Sequence, residues 1–300
     1  MISVLILTKN EEQDLPGCLQ SVRWSDDIHV FDSYSTDGTL DIARAAGAQI
    51  TQRHFDNWSA HQNWGLANIR FRHPWVLYID ADERVTKILA ENLHRAVENP
   101  DDKVAFRIRR RDFWGDRWLK HVQTSPYYLR LFRPEKMRYE RLVNPVSIPD
   151  GPVADVAGFL DHYPFSKGMT HWLNRHNCYS SLEAQQIVKN RTANREFSLK
   201  QAFFGENFND RRFHQKELFY RMPARPLFKF LLLYVGKRGF LDGSAGFHYA
   251  MLQSLYEYMI VLKTKELSTK QVTPLETDEI ATNPGGALQE GIHADPHPNN

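Results

Sequence analysis

Trp75-Val76-Leu77-Tyr78-Ile79-Asp80-Ala81-Asp82-Glu83 is an apolar run that stops at a cluster of acids. A run of that length reads as a buried strand, and the end of a buried strand is a rigid place to hold charge. Asp80 and Asp82, spaced by one residue, repel each other unless a cation stands beside them; a divalent ion bound to a diphosphate supplies one. The stretch therefore predicts a metal-diphosphate site. The competing reading is a solvated acidic loop in front of the helix that Thr86 opens, and the flanking segments have to decide between the two.

Working outward, the first hundred residues alternate short apolar runs with helical patterns. Residues 2–7, 28–31 and 48–50 read as strands. Leu15, Leu19 and Val22 mark a helix between the first two, and Thr39 opens the next. Ser59-Ala60-His61-Gln62 has the form of a capping box, and after the Trp75 strand Thr86 caps a helix with Leu89, Leu93, Ala96 and Val97 inside. Such alternation predicts an α/β fold with a mostly parallel sheet flanked by helices. Ligands of open parallel sheets sit outside the carboxyl ends of the strands. Those ends carry Thr8-Lys9-Asn10-Glu11, then Asp32 to Thr39, then Asp80-Ala81-Asp82. Alternating strands at 104–108 and 127–132, the second followed by a Pro-punctuated segment, predict an antiparallel addition to the sheet. A C-terminal helical region is expected from about Ser166. The domain boundaries read as 1–165 for the catalytic unit, 166–267 for the helical region and 268–300 for a disordered tail.

With 42% apolar and 12% aromatic content over 300 residues, the chain can bury a substantial core. A formal charge of +2 argues against nucleic acid as a partner. Two distant cysteines, Cys18 and Cys178, form neither a disulfide framework nor a zinc pattern, and Ile2 to Leu7 is too short for a signal segment, so a cytoplasmic protein is expected. There is no Gly-x-Gly-x-x-Gly, which removes a dinucleotide fingerprint.

Val4 to Glu11, Asp32 to Thr39, Ile79 to Glu83 and Arg130-Leu131-Phe132-Arg133 follow one another in an order and spacing that resembles family 2 glycosyltransferases of the lipopolysaccharide core glucosyltransferase type. Gly239-Phe240-Leu241-Asp242-Gly243 is similar to that group as well. The resemblance implies a GT-A fold, a nucleotide-diphosphate-sugar donor with a UDP-sugar as the family-level expectation, inversion at the anomeric carbon, and Mg or Mn on the diphosphate. Carried onto this chain, it implies that Thr8, Asn10 and Glu11 line the nucleotide pocket, that Asp32 bonds the base, that Asp80 lies by the ribose and sugar, and that Asp82 binds the metal. Gln62 and Asn63, one turn into their helix, are divided between sugar contacts and surface polarity. Asp37-Gly38-Thr39 reads first as a turn and helix cap.

Inverting transfer needs a general base. Where the resemblance implies His-Glu, this chain reads Val143-Asn144-Pro145, so Glu140, with Asp112 behind it, is the expected substitute. His162 and Arg130 are assigned to the acceptor side. Residues 218–241 carry five basic residues, no acid and many aromatics, the composition of a helix lying on an anionic membrane surface. The expected protein is a peripheral enzyme on the inner face of the cytoplasmic membrane, moving one sugar at a time to a lipid-linked saccharide. A nucleotidyltransferase is disfavoured because Thr8 to Glu12 lacks glycine, and a processive synthase because no Gln-x-x-Arg-Trp is present. The alternative is a membrane-bound scaffold that kept the fold and lost its base.

Overall fold

The structure is a computed structural model that describes residues 1–123, 125–140, 146–192, 197–204 and 208–269. Its strands are β1 Ile2–Thr8, β2 Ile28–Asp32, β3 Gln49–Gln52, β4 Trp75–Asp80, β5 Glu83–Val85, β6 Ala105–Trp114, β7 Arg117–Trp118, β8 Tyr127–Phe132, β9 Met137–Glu140, β10 Val146–Pro149 and β11 Val153–His162. Its helices are α1 Leu15–Val22, α2 Thr39–Ala45, α3 Trp58–Asn68, α4 Lys87–Glu98, α5 Gly168–Thr192, α6 Leu199–Phe204, α7 Phe208–Arg221, α8 Arg225–Leu231 and α9 Gly243–Thr269.

One sheet runs in the order β3-β2-β1-β4-β8-β6-β11-β5, with β7 hairpinned on β6, and β9 pairs with β10 in a second small sheet. β3, β2, β1 and β4 are parallel neighbours, so the carboxyl ends of β1, β2 and β4 lie along one edge. β8 enters antiparallel between β4 and β6, as the alternating pattern predicts. Both faces of the parallel strands are apolar because helices cover both. Val4, Ile6, Leu77 and Ile79 pack with Leu15, Leu19, Leu89 and Leu93, while Leu5, Phe31, Val76 and Tyr78 form the core on the other face.

Thr86 caps α4 as its sequence predicts, its hydroxyl accepting from Leu89 N. The start of α3 is also as expected, but the cap is Asn57, whose side chain accepts from Ala60 N, and Ser59 lies buried in the first turn. The Pro-punctuated segment after Phe132 hides a ten-residue strand, β11, that carries His162. β11 runs parallel to β6 with a bulge between Val156 and Phe159. Gly158 sits there at φ +114, and a Cβ on it would stand 2.9 Å from Leu89 Cα. The bulge sets function-bearing register: without it His162 would pair opposite Trp114 rather than Asp112.

The C-terminal helices close on the 119–122 segment, where Leu119 and Val122 pack with Leu233, Ala245, Tyr249 and Ala250. Asp242, within the Gly239 to Gly243 stretch, is buried and accepts from the backbone N–H of His121 and Val122 and pairs with His121 Nδ1 at 2.7 Å. Helix α9 runs through Thr269, so residues 268 and 269 belong to it, and the remainder of the expected tail lies outside the described residues. Val143, Asn144 and Pro145 also lie outside them.

Candidate active site

The loops after β1 and β2 are stitched together by their own polar side chains. Thr8 Oγ1 donates to Asp32 Oδ1 at 2.9 Å, Asn10 N to Ser35 Oγ at 2.8 Å, and Thr36 N to Asn10 Oδ1 at 2.8 Å. Asn10 stands at φ 55, a left-handed conformation that asparagine tolerates. Asp37 accepts from Thr39 N and from Glu12 N, as the turn reading requires. Asp32 is 0% exposed and accepts from Thr8, Ser35 N, Ser35 Oγ and Gln52 Nε2. Its acceptor sites are filled from within the chain, so here it anchors the loop, and a base would bond it only by displacing one of these donors.

Glu11 receives Lys167 Nζ on Oε1 at 2.6 Å, and its Oε2 is buried without a partner. Burial pushes its carboxyl up to about 8 against the pull of Lys167, with the Asp82 and Asp14 charges adding to the rise.

Around Asp80 the cation is Arg130. Arg130 is 6% exposed; Nη2 donates to Asp80 Oδ2 at 2.9 Å and to Glu83 Oε1 at 2.7 Å, and the guanidinium lies over the Tyr78 ring at 4.6 Å. A buried guanidinium between two carboxylates neutralises their repulsion, so Arg130, expected on the acceptor side, stands within the acidic turn. Glu83 Oε2 accepts from Asp80 N at 3.0 Å and so folds the acidic turn. Gln62 Nε2 donates to Tyr78 OH at 3.1 Å, which donates to Asp80 Oδ1 at 2.8 Å, a relay that ties α3 to the rim. Asn63 is paired on both side-chain atoms with the Tyr139 backbone, at 2.9 and 2.8 Å, and so pins β9.

Asp82 and Asp112 grip one imidazole. His162 Nε2 lies 3.2 Å from Asp82 Oδ2 and Nδ1 lies 2.7 Å from Asp112 Oδ1. Burial alone would lower His162, but the Asp82 charge and the Asp112 bond overcome it and hold the imidazole at about 9. Burial opposes the charge of Asp82 too, yet His162 keeps its carboxyl far below the usual range. Asp112, bonded also by Gln123 Nε2 at 2.9 Å and lying 3.0 Å from Arg110, goes down to about 2 despite its burial. Asp112, expected behind Glu140 as a base, is engaged here by His162, Gln123 and Arg110. Glu140 is not brought to this cluster: it is exposed at the end of β9, 3.3 Å from Arg138 Nε.

The triad makes a pH prediction. His162, raised above 6.5, adds stability that is full below that value and lost as pH rises through about 9. Asp112, depressed below 3.8, adds stability that is present above that value and lost as pH falls through about 2. The urea midpoint of the metal-free protein is expected to fall between about pH 6 and about pH 9.5, and His162→Gln is expected to flatten that fall. Equal pH slopes in both proteins would refute the imidazolium assignment.

The second oxygen of Asp82 has no hydrogen-bond partner among the described residues, and the side chain is 18% exposed. Among the described residues no cluster of three or more His, Cys, Asp or Glu side chains is built to hold a metal alone. One free carboxylate oxygen is nevertheless what a Mg or Mn ion needs from a protein when a diphosphate supplies further ligands. The residues fit a metal carried with its substrate.

Sequence reading missed the opposite wall. Lys167, His171 and Arg175, on and just ahead of α5, are four residues apart and share a helical face. Burial, then the charges of Lys167 and Arg175, press His171 down to about 4. The four-residue spacing of basic residues was the available signal.

The acid-bearing edge stands at the carboxyl ends of parallel strands, where open α/β sheets bind their ligands. Residues 3–157 match the profile of glycosyl transferase family 2, and the chain belongs to that family. It is a glycosyltransferase. The match spans the three rim loops but ends before His162 and α5. The lipopolysaccharide core biosynthesis glycosyltransferase LpsC of Rhizobium meliloti (strain 1021) is 27% identical over 289 residues, covering 93% of this chain and 97% of that protein. An uncharacterized glycosyltransferase of Rickettsia typhi is 24% identical over 291 residues, covering 92% of this chain and 91% of its own. Among solved structures, glucosyl-3-phosphoglycerate synthase from Mycobacterium tuberculosis in complex with Mn2+, UDP-glucose and phosphoglyceric acid has a TM-score of 0.31 at 21% identity, covering 38% of this chain and 43% of that one.

Proposed function

We propose that the protein is an inverting, metal-dependent hexosyltransferase that moves one sugar from a UDP-hexose to a lipid-linked saccharide in the assembly of a cell-surface polysaccharide or lipopolysaccharide. The observation that carries this is Asp82, a charged, partly exposed carboxylate with one open oxygen beside Asp80 on the family's strand-end edge. Thr8, Asn10, Glu11 and Asp32 shape the nucleotide end of the cleft, Gln62 and Asp80 stand by the sugar, and Asp82 holds Mg or Mn. The ion supplies Lewis-acid stabilisation of the departing diphosphate. The chain's own part is positional: Arg130 and Glu83 fix the acidic turn, and His162 orients Asp82 while Asp112 orients His162. Glu140 is the carboxylate available as acceptor base. Calorimetry and product analysis with a panel of nucleotide sugars, with and without Mn, test the reading. Metal-dependent binding of a UDP-hexose supports it; no nucleotide binding favours the scaffold alternative.

The lipid-linked acceptor and a place at the inner face of the membrane are supported by the C-terminal surface. No helix among the described residues is long and apolar enough to cross a membrane. Leu227, Leu231, Leu232 and Val235 are exposed on α8 and the π-helical turn after it. Phe247, Met251, Leu255, Tyr258 and Leu262 extend the apolar surface as a stripe along α9. The only acid between residues 218 and 256 is Asp242, which is 3% exposed, against five basic residues. Co-sedimentation with vesicles containing phosphatidylglycerol is expected, weakening with salt. Lys237→Glu with Arg238→Glu is expected to lower binding at least about tenfold. Equal binding to neutral vesicles would remove the electrostatic part of the reading.

A further inference from the structure

The α5 wall contains a cation that the rest of the site does not match. Lys167 Nζ donates to Glu11 Oε1 at 2.6 Å and to Asn10 O at 2.8 Å, which fixes this face of the helix over the strand-end loops. Arg175, two turns further on, reaches Pro164 O with Nη2 at 3.5 Å, two residues beyond His162. Tyr163 N donates to Asp82 O at 2.9 Å, so Pro164, which Arg175 reaches, directly follows a residue bonded to the acidic turn.

Of the other cations of the site, Lys9 donates to the carbonyls of Ser33 and Tyr34, and those around Asp80, Asp82 and Glu11 are met by carboxylates. Arg130 has Asp80 and Glu83, Arg110 has Asp112 at 3.0 Å and Glu83 at 3.8 Å, His162 has Asp82 and Asp112, and Lys167 has Glu11. Arg175 forms no ion pair among the described residues, and its Nε is buried without a hydrogen-bond partner. Arg110 and Arg130 also leave Nε unbonded, but their charge is answered. A guanidinium stays charged in any protein, and a buried donor without an acceptor is costly. A guanidinium met inside the chain by one long bond to a carbonyl and by no carboxylate fits an oxyanion that arrives with a ligand.

We infer that Arg175 binds the diphosphate of the sugar donor, its guanidinium donating to phosphate oxygens from the α5 wall while Asp82 stands on the opposite side. The inference rests on the transferase reading above and adds a residue outside the span that defines the family. A phosphate or carboxylate on the acceptor offers the same chemistry, and the test separates the two.

Inorganic pyrophosphate and UDP, each with MnCl2, are titrated calorimetrically into the intact protein and into Arg175→Gln and Arg175→Lys, with the melting temperature of each protein measured alone and with ligand. Arg175→Gln is expected to weaken both ligands about ten- to a hundredfold, the worth of a charge-assisted fork. Arg175→Lys, which keeps the charge and loses the fork, is expected to fall between the two. Without ligand, the Arg175→Gln melting temperature is expected to match the wild type, and only the ligand-induced rise is lost. A merely structural Arg175 would instead lower the unliganded value. Equal affinity of wild type and Arg175→Gln for pyrophosphate and UDP overturns the inference, and a raised acceptor KM in that case assigns the fork to the acceptor. If Arg175→Gln fails to fold, Arg175→Lys supplies the comparison. Failure of the wild type to bind either ligand overturns the donor reading itself.

Discussion

Asp82→Ala is expected to lower kcat/KM for sugar transfer about a thousandfold or more and to abolish metal-dependent nucleotide binding. The reason is geometric. Asp80 accepts on both oxygens, from Tyr78 and Arg130, and Glu83 is buried against Arg130, whereas Asp82 keeps an oxygen with no hydrogen-bond partner among the described residues. The fold is expected to survive, because His162 keeps its 2.7 Å bond to Asp112 when Asp82 is removed. Calorimetry with and without Mn, together with a melting curve, separates loss of the ion from loss of structure. Metal-dependent binding retained in Asp82→Ala would place the ion elsewhere.

Arg130→Met is expected to destabilise the protein by roughly 3–5 kcal/mol, the cost of leaving buried carboxylates without their cation. Glu83 is 0% exposed, and Arg110, the next cation, stands 3.8 Å away and is already engaged by Asp112. Adding Glu83→Gln is expected to recover much of the loss, since an amide carries no charge to compensate. Urea midpoints of the two single variants and the double variant give the coupling. A wild-type midpoint for Arg130→Met would show that Arg130 does not neutralise the acidic turn.

Much of the frame was legible along the chain. The apolar runs at 2–7, 28–31 and 75–79, the helix that Thr86 caps and the Asp37-Gly38-Thr39 turn all appear where local pattern puts them. Periodicity, caps and turns are decided by neighbours a few residues apart, so they can be read without a fold. Strand β11 escaped that reading: Gly158 and the prolines before it break the pattern, and pairing with β6 and β5 supplies what the local sequence lacks.

The residues that convert the frame into a site answer to distance in space. Asn63 and Tyr139 are 76 residues apart, and Arg130 stands 50 residues from Asp80. His162 meets Asp112 only because the bulge at Gly158 shifts the β11 register. The bonds of Asp112 to His162 and Gln123, and of Arg130 to Asp80 and Glu83, cannot be read along the chain, because an unpaired acid and a buried, paired one look identical in a sequence. By itself the sequence determined the α/β frame, the strand-end acids and the family, because each is written in short-range pattern and order. Tertiary structure alone decided which carboxylate keeps an open oxygen and which cation is met by no carboxylate, because charge compensation depends on what the fold brings within a few ångströms.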